Sequence, residues 1–193
     1  MHTIRIFQPT PAELRAKIRH ARVFAARGEF ALAEHLLALV RDHVQRESRE
    51  GALIARALAA SAEVARLQGR IDEAEAAYLG AVETFGDAAG ADRVELAATL
   101  CAFGEFLLER GRAEESEQLV RRALVLDVAH FGHAAAAIVR DLRALGRALC
   151  ALDRGSEARA VLHELTAAAT PTFGADHPYV DEARRALASL GPA

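Results

Sequence analysis

The chain is predicted to be an all-α solenoid of helical hairpins by three observations: a skeleton that recurs at intervals of 41 and 42 residues, an alanine- and leucine-rich composition, and few aromatic residues or prolines. Hydrophobic residues make up 52% of the 193 positions, yet aromatics are only 5%, with 5 prolines and no tryptophan. That mixture suits closely packed helices and disfavours a sandwich of sheets. The length allows one continuous core or a short repeat array, and excludes two large independent domains.

Four segments carry the repeat, each a helical stretch, a short break and a second helical stretch with a small residue near its start: Ala26 to Leu37, Leu67 to Leu79, Glu109 to Val120 and Leu152 to Leu162. Their equivalent small residues are Ala33, Ala74, Ser116 and Ala158, at intervals of 41, 42 and 42. The break glycines Gly28, Gly69 and Gly111 keep the same spacing, as a tight turn between antiparallel helices needs a residue free to adopt positive φ. In the fourth hairpin Asp153 holds that slot, and aspartate tolerates such a backbone better than most residues. Phe85-Gly86, Phe131-Gly132 and Phe173-Gly174 close the last three hairpins. Each pairs an aromatic expected to plug the junction between repeats with a helix-ending glycine. The first two are 46 apart instead of 42, so the second helix of hairpin two should end about one turn early and lead into a longer loop, Asp87 to Asp92.

The elements follow in order. Thr10-Pro11-Ala12-Glu13 combines an N-cap threonine, proline at the first helical position and a capping-box glutamate, which starts a helix over 11–27. Further helices are expected over 29–46, 51–68, 70–85, 92–110, 112–129, 134–152 and 156–171. His177-Pro178 and Gly191-Pro192 bracket a last one over 178–190. Residues 1–10 are an N-terminal arm, in which Ile4, Ile6 and Phe7 either fold back on the first hairpin or dock on another subunit. Residues 11–193 are expected to form a single repeat domain of hairpins near 11–50, 51–91, 92–133 and 134–176. A capping helix over 177–191 completes it, its polar face carrying Asp181, Glu182, Arg184 and Arg185. One alanine-rich hairpin buries too little apolar surface to offset its own ordering, so stability must come from stacking. The competing arrangement is a compact bundle with accidental periodicity.

On these residues the chain resembles the tetratricopeptide repeats, in the longer 42-residue kinesin-light-chain type. Small first-helix positions Ala21, Ala62, Gly104 and Gly146 face Ala33, Ala74, Ser116 and Ala158. Phe173-Gly174-Ala175-Asp176-His177-Pro178 is similar to the FGxxHP element between long-type repeats. The resemblance covers residues 12–190 and implies a right-handed superhelix and a protein-binding role. The early tryptophan and the proline after the second helix are absent, and Phe131-Gly132-His133 lacks the following proline.

The resemblance places first helices on a concave wall. There it implies a binding surface of Arg15, Arg19, Arg22, Arg56, Glu63, Arg66, Glu105, Glu109, Arg140, Arg143 and Arg147. Arginines converging from parallel helices suit a carboxylate-bearing peptide; alternatively they pair with Glu63, Glu105 and Glu109. With one lysine, Lys17, and no asparagine, a chaperone-tail clamp is not expected. The first function expected is a scaffold holding a peptide or partner helix; the alternative is self-assembly into a homo-oligomer through the array ends or the arm.

Other functions lack residues to carry them. Cys101 and Cys150 match no metal-ligand spacing and read as free thiols. His130 and His133 near Asp127, and His35 with His43, are a weak metal signal. No phosphate-binding glycine loop or nucleophile constellation is present, so neither catalysis nor a cofactor is expected. A net charge of −3 lacks the basic footprint of a nucleic-acid binder. No apolar run approaches the roughly 20 residues that cross a bilayer. Met1 to Phe7 is no signal peptide, so no membrane partner and a cytoplasmic location are expected.

Overall fold

A computed structural model describes residues 9–47, 51–86, 90–132 and 136–191. Among them are nine helices: α1 Pro11–Ala26, α2 Phe30–Glu47, α3 Gly51–Leu67, α4 Ile71–Phe85, α5 Ala91–Glu109, α6 Ala113–Phe131, α7 Ala136–Ala151, α8 Gly155–Phe173 and α9 Pro178–Ser189. Every expected helix is present with ends within about two residues of those read from the sequence. No helix among the described residues is long and apolar enough to cross a membrane.

The capping box at the start of α1 forms as expected. Glu13 N donates to Thr10 Oγ1 at 3.3 Å and Thr10 N donates to Glu13 Oε2 at 2.7 Å, satisfying two amides that lack helical partners. The hairpin turns follow the spacing too. Gly28, Gly69 and Gly111 sit at φ 78°, 74° and 77°, and Asp153, at 54°, is the one non-glycine at positive φ among the described residues. Helix α4 has 15 residues against 19 in α6 and α8, the early ending expected after Phe85. Residues 87–89, the first half of the anticipated long loop, lie outside the described residues, as do His133, Pro192 and residues 1–8 of the arm.

The chain packs as two compact units, divided between residues 88 and 89. In the first unit α1 lies beside α3, α2 covers both, and α4 packs along α3. In the second, α5 lies beside α7, α6 packs on both, α8 pairs with α7 and α9 packs on α8. The periodic small residues are where helices touch: Ala21, Ala33, Ala62, Ala74, Ser116 and Ala158 all have 0% exposure.

The closing aromatics depart from expectation. Phe85 is buried, but Phe131 and Phe173 are 45% and 39% exposed and plug nothing. Each ends its helix where the chain leaves the core, and finds a ring instead: Phe131 meets His130 edge-on at 4.5 Å, and Phe173 stacks on His177 at 4.6 Å. His177 N-caps α9, its Nδ1 accepting from Tyr179 N at 3.3 Å. The Phe-Gly-Ala-Asp-His-Pro stretch is thus a helix-capping device held by an aromatic stack.

Candidate functional site

In the first unit, the first-helix face is joined by a pair from α1 to α3, Arg22 Nε to Glu63 Oε2 at 3.1 Å. Arg15 and Arg19 are exposed along α1, while Arg56 and Arg66 are half-buried on α3. Arg66 hydrogen-bonds the Tyr78 hydroxyl, whose pKa is pushed up, first by burial and then by Glu63. In the second unit a ladder crosses three helices: Glu105 on α5 meets Arg143 Nη1 at 3.1 Å and Arg147 Nη1 at 3.5 Å on α7, and Arg143 Nε meets Glu182 on α9 at 2.9 Å. The Arg143 guanidinium also lies 5.2 Å over the Tyr179 ring. Glu109 is exposed at the end of α5.

Arg140 is turned inward. Its Nη2 lies 2.7 Å from both Asp127 Oδ2 on α6 and Asp141 Oδ1, and the two carboxylates have side-chain exposures of 1% and 0%. Asp127 Oδ1 and Asp141 Oδ2 are buried without hydrogen-bond partners. Burial pushes the Asp141 carboxyl up to about 6, in the same direction as Asp127, with Arg140 opposing both. Cys101 on α5 adjoins this cluster, and burial raises its pKa and that of Cys150, keeping both thiols neutral.

The second unit holds a cleft of about 420 Å³ between α7, α8 and α9. Leu108, Leu162, Leu165, Ala183 and Ala186 give it an apolar wall, and Arg143, Arg147 and Glu182 stand at its charged edge. The first unit has a wider cleft of about 810 Å³ between α2 and α4, floored by α3. Its rim is bridged, since Arg70 joins Glu34 on α2 and Glu73 on α4 at 2.5 Å each.

That bridge belongs to a periodic latch. Arg70, Arg112 and Arg154 stand at 42-residue intervals, each just before a second helix, with Glu73, Glu115 and Glu157 three residues on. Arg112 meets Glu115 at 2.6 Å, and Arg154 meets both Glu157 and, on the preceding second helix, Glu117 at 2.6 Å. The interval of 42 was legible in the sequence and is the signal that finds these residues.

Hairpins stacked through periodic small residues define an α-solenoid. A tetratricopeptide repeat family model matches residues 53–126. Mouse tetratricopeptide repeat protein 23 is 30% identical over 141 residues, 72% of this chain and 28% of that protein, so the chain spans under a third of that relative's length. Two solved structures share the fold. A putative kinesin light chain of Podosopora anserina with nearly identical TPR-like repeats is 18% identical at TM-score 0.75, over 94% of this chain and 86% of that one. BtubC of P. vanneervenii is 15% identical at TM-score 0.72, over 93% and 80%. The chain is a tetratricopeptide repeat protein, with the architecture of a protein–protein interaction scaffold.

Proposed function

We propose that this chain is an adaptor that holds a partner peptide on the first-helix face of its second unit. An apolar side chain of that peptide enters the cleft between α7, α8 and α9, and an acidic neighbour pairs with Arg147. The observation that carries this reading is the joining of an apolar wall to a guanidinium that is 42% exposed and held by Glu105 only at 3.5 Å. A peptide carboxylate offering two short hydrogen bonds competes well with so long a contact. Arg143, already tied to Glu105 and Glu182, positions the edge of the cleft.

Fluorescence anisotropy with labelled peptides tests this, each carrying one leucine or aromatic residue flanked by glutamates, with lysine-flanked controls. Arg147→Glu should weaken binding of the acidic peptides by about tenfold or more, and Ala151→Trp, at the exposed rim, should obstruct the cleft. Equal binding of acidic and lysine-bearing peptides, or indifference to both substitutions, overturns the proposal.

A further inference from the structure

The first hairpin departs from the latch. The slots filled by Arg70, Arg112 and Arg154 and by Glu73, Glu115 and Glu157 hold Glu29 and Leu32 in hairpin one. A preceding repeat of the same kind would bring a glutamate against Glu29, so this surface is unsuited to continuing the array. It presents an apolar stripe in place of the ion latch. Leu32 and Leu39 are 49% and 41% exposed, and Leu36 between them is only partly buried. The slot of Leu39 is Gly80, Arg122 or Glu164 in the later hairpins, so α2 alone carries the complete stripe.

The stripe has coiled-coil spacing. Glu29, Leu36 and His43 recur every seven residues, as do Leu32, Leu39 and Arg46, and the two sets alternate at steps of three and four. The flank on one side, Ala33 and Val40, is buried within the hairpin, while His35 and Asp42 on the other are exposed.

We propose that this stripe binds a second copy of the chain, α2 against α2 in antiparallel register about a twofold axis. In that register Leu36 meets Leu39 of the second copy, Leu32 meets His43, and Glu29 meets Arg46, each contact occurring twice. His35 faces Asp42 on the outer flank. The seam is therefore apolar in the middle and oppositely charged at both ends, the self-complementarity an isologous interface requires. The helix is already formed by its own hairpin, so association orders side chains but no backbone. A seam of 18 residues is about 27 Å long, which suits a reversible dimer in the micromolar range. The interface lies on the first unit, so its test is independent of peptide binding by the second.

Sedimentation equilibrium of the full chain over a dilution series should show a monomer–dimer equilibrium, which Leu36→Glu shifts to monomer with helicity retained. Glu29→Arg and Arg46→Glu should each weaken the dimer by about tenfold or more, and the double variant should restore it. Within one chain these two residues sit at opposite ends of α2, so rescue is specific to the antiparallel pairing. A wild-type monomer at every concentration, a dimer indifferent to Leu36→Glu, or a double variant no better than the singles each overturns the proposal. If removing residues 1–8 alone converts a monomer to a dimer, the occupant is the chain's own amino-terminal segment, which equally overturns it.

Discussion

The two units close the same hairpin in different ways. Among the described residues before the division, the first-helix contacts are Ala21 and Ala62, and the buried side chains are apolar apart from the Tyr78 hydroxyl. Beyond it the contacts are Gly104 and Gly146, and all four buried polar or charged side chains of the described chain, Thr99, Ser116, Asp127 and Asp141, lie there. The repeat demands a small residue at each crossing and leaves the surrounding chemistry open. An alanine contact supports itself by burial. The second unit also holds two carboxylates out of water, a cost that only a well-placed cation offsets.

The largest expected effect separates the units through that cation. Arg140→Ala leaves Asp127 and Asp141 buried without their partner and should cost about 3–5 kcal/mol. Arg22→Ala in the first unit removes an ion pair whose side chains are 33% and 30% exposed, and should cost under about 1 kcal/mol. Chemical denaturation of both variants checks the contrast, and equal losses would remove the energetic distinction drawn between the units.

The same cluster makes one unit respond to pH. Folded Asp141 keeps its proton up to about 6, chiefly because burial disfavours the charged form, against 3.8 for an ordinary aspartate. Its stabilising contribution is complete below 3.8 and is lost as pH rises through about 6, a difference of at most about 3 kcal/mol. Asp127, raised by burial as well, works in the same direction. Hydrogen exchange between pH 4 and 7.5 should show protection over α5–α7 falling relative to Asp141→Asn, with no matching trend over α1–α4. A trend shared by both units would place its origin elsewhere.

Much of this fold is legible in the sequence, because a turn glycine and a helix-contact alanine are local demands that recur with the repeat. The four contact residues and the positive φ of Asp153 follow from spacing alone. Arg140 shows where that reading stops. Its position on α7 suggests the binding wall, but its partners depend on which side of α6 meets α7, a fact of tertiary packing. Phe131 and Phe173 fail for a related reason: the Phe-Gly pair marks a helix end, and only packing decides whether the ring turns inward, as Phe85 does. The arginine latch needed no packing information, only comparison of the residues just before each second helix.

Glycine contacts sharpen the comparison at smaller cost. A Cβ on Gly104 would lie 2.6 Å from Val120 Cγ2 and 3.2 Å from the Ser116 carbonyl oxygen. Neither a β-branched methyl nor a backbone atom moves easily, so Gly104→Ala should cost about 1–3 kcal/mol despite alanine's better helix propensity. On Gly146 the nearest atom is Leu162 Cδ2 at 3.0 Å, the tip of a flexible side chain. Gly146→Ala should therefore stay within about 1 kcal/mol of wild type, as propensity offsets the crowding. Thermal midpoints of the two variants should differ clearly; matching values would mean that both crossings relax alike.

The smallest effect should be a gain. Ser116 holds the slot occupied by Ala33, Ala74 and Ala158 in the other hairpins, has 0% exposure, and its Oγ is buried without a hydrogen-bond partner. Replacing it with alanine deletes a hydroxyl that lost its water on folding and found nothing in exchange, and it improves helix propensity at the same step. Ser116→Ala should stabilise the second unit by up to about 1 kcal/mol, with Ala158→Ser costing a comparable amount at the next repeat. The pair tests whether a polar atom at the crossing serves the second unit or burdens it. Destabilisation of Ser116→Ala would reveal a hydroxyl that contributes to the Gly104 contact, and would make the polar chemistry of this unit part of how its helices are held.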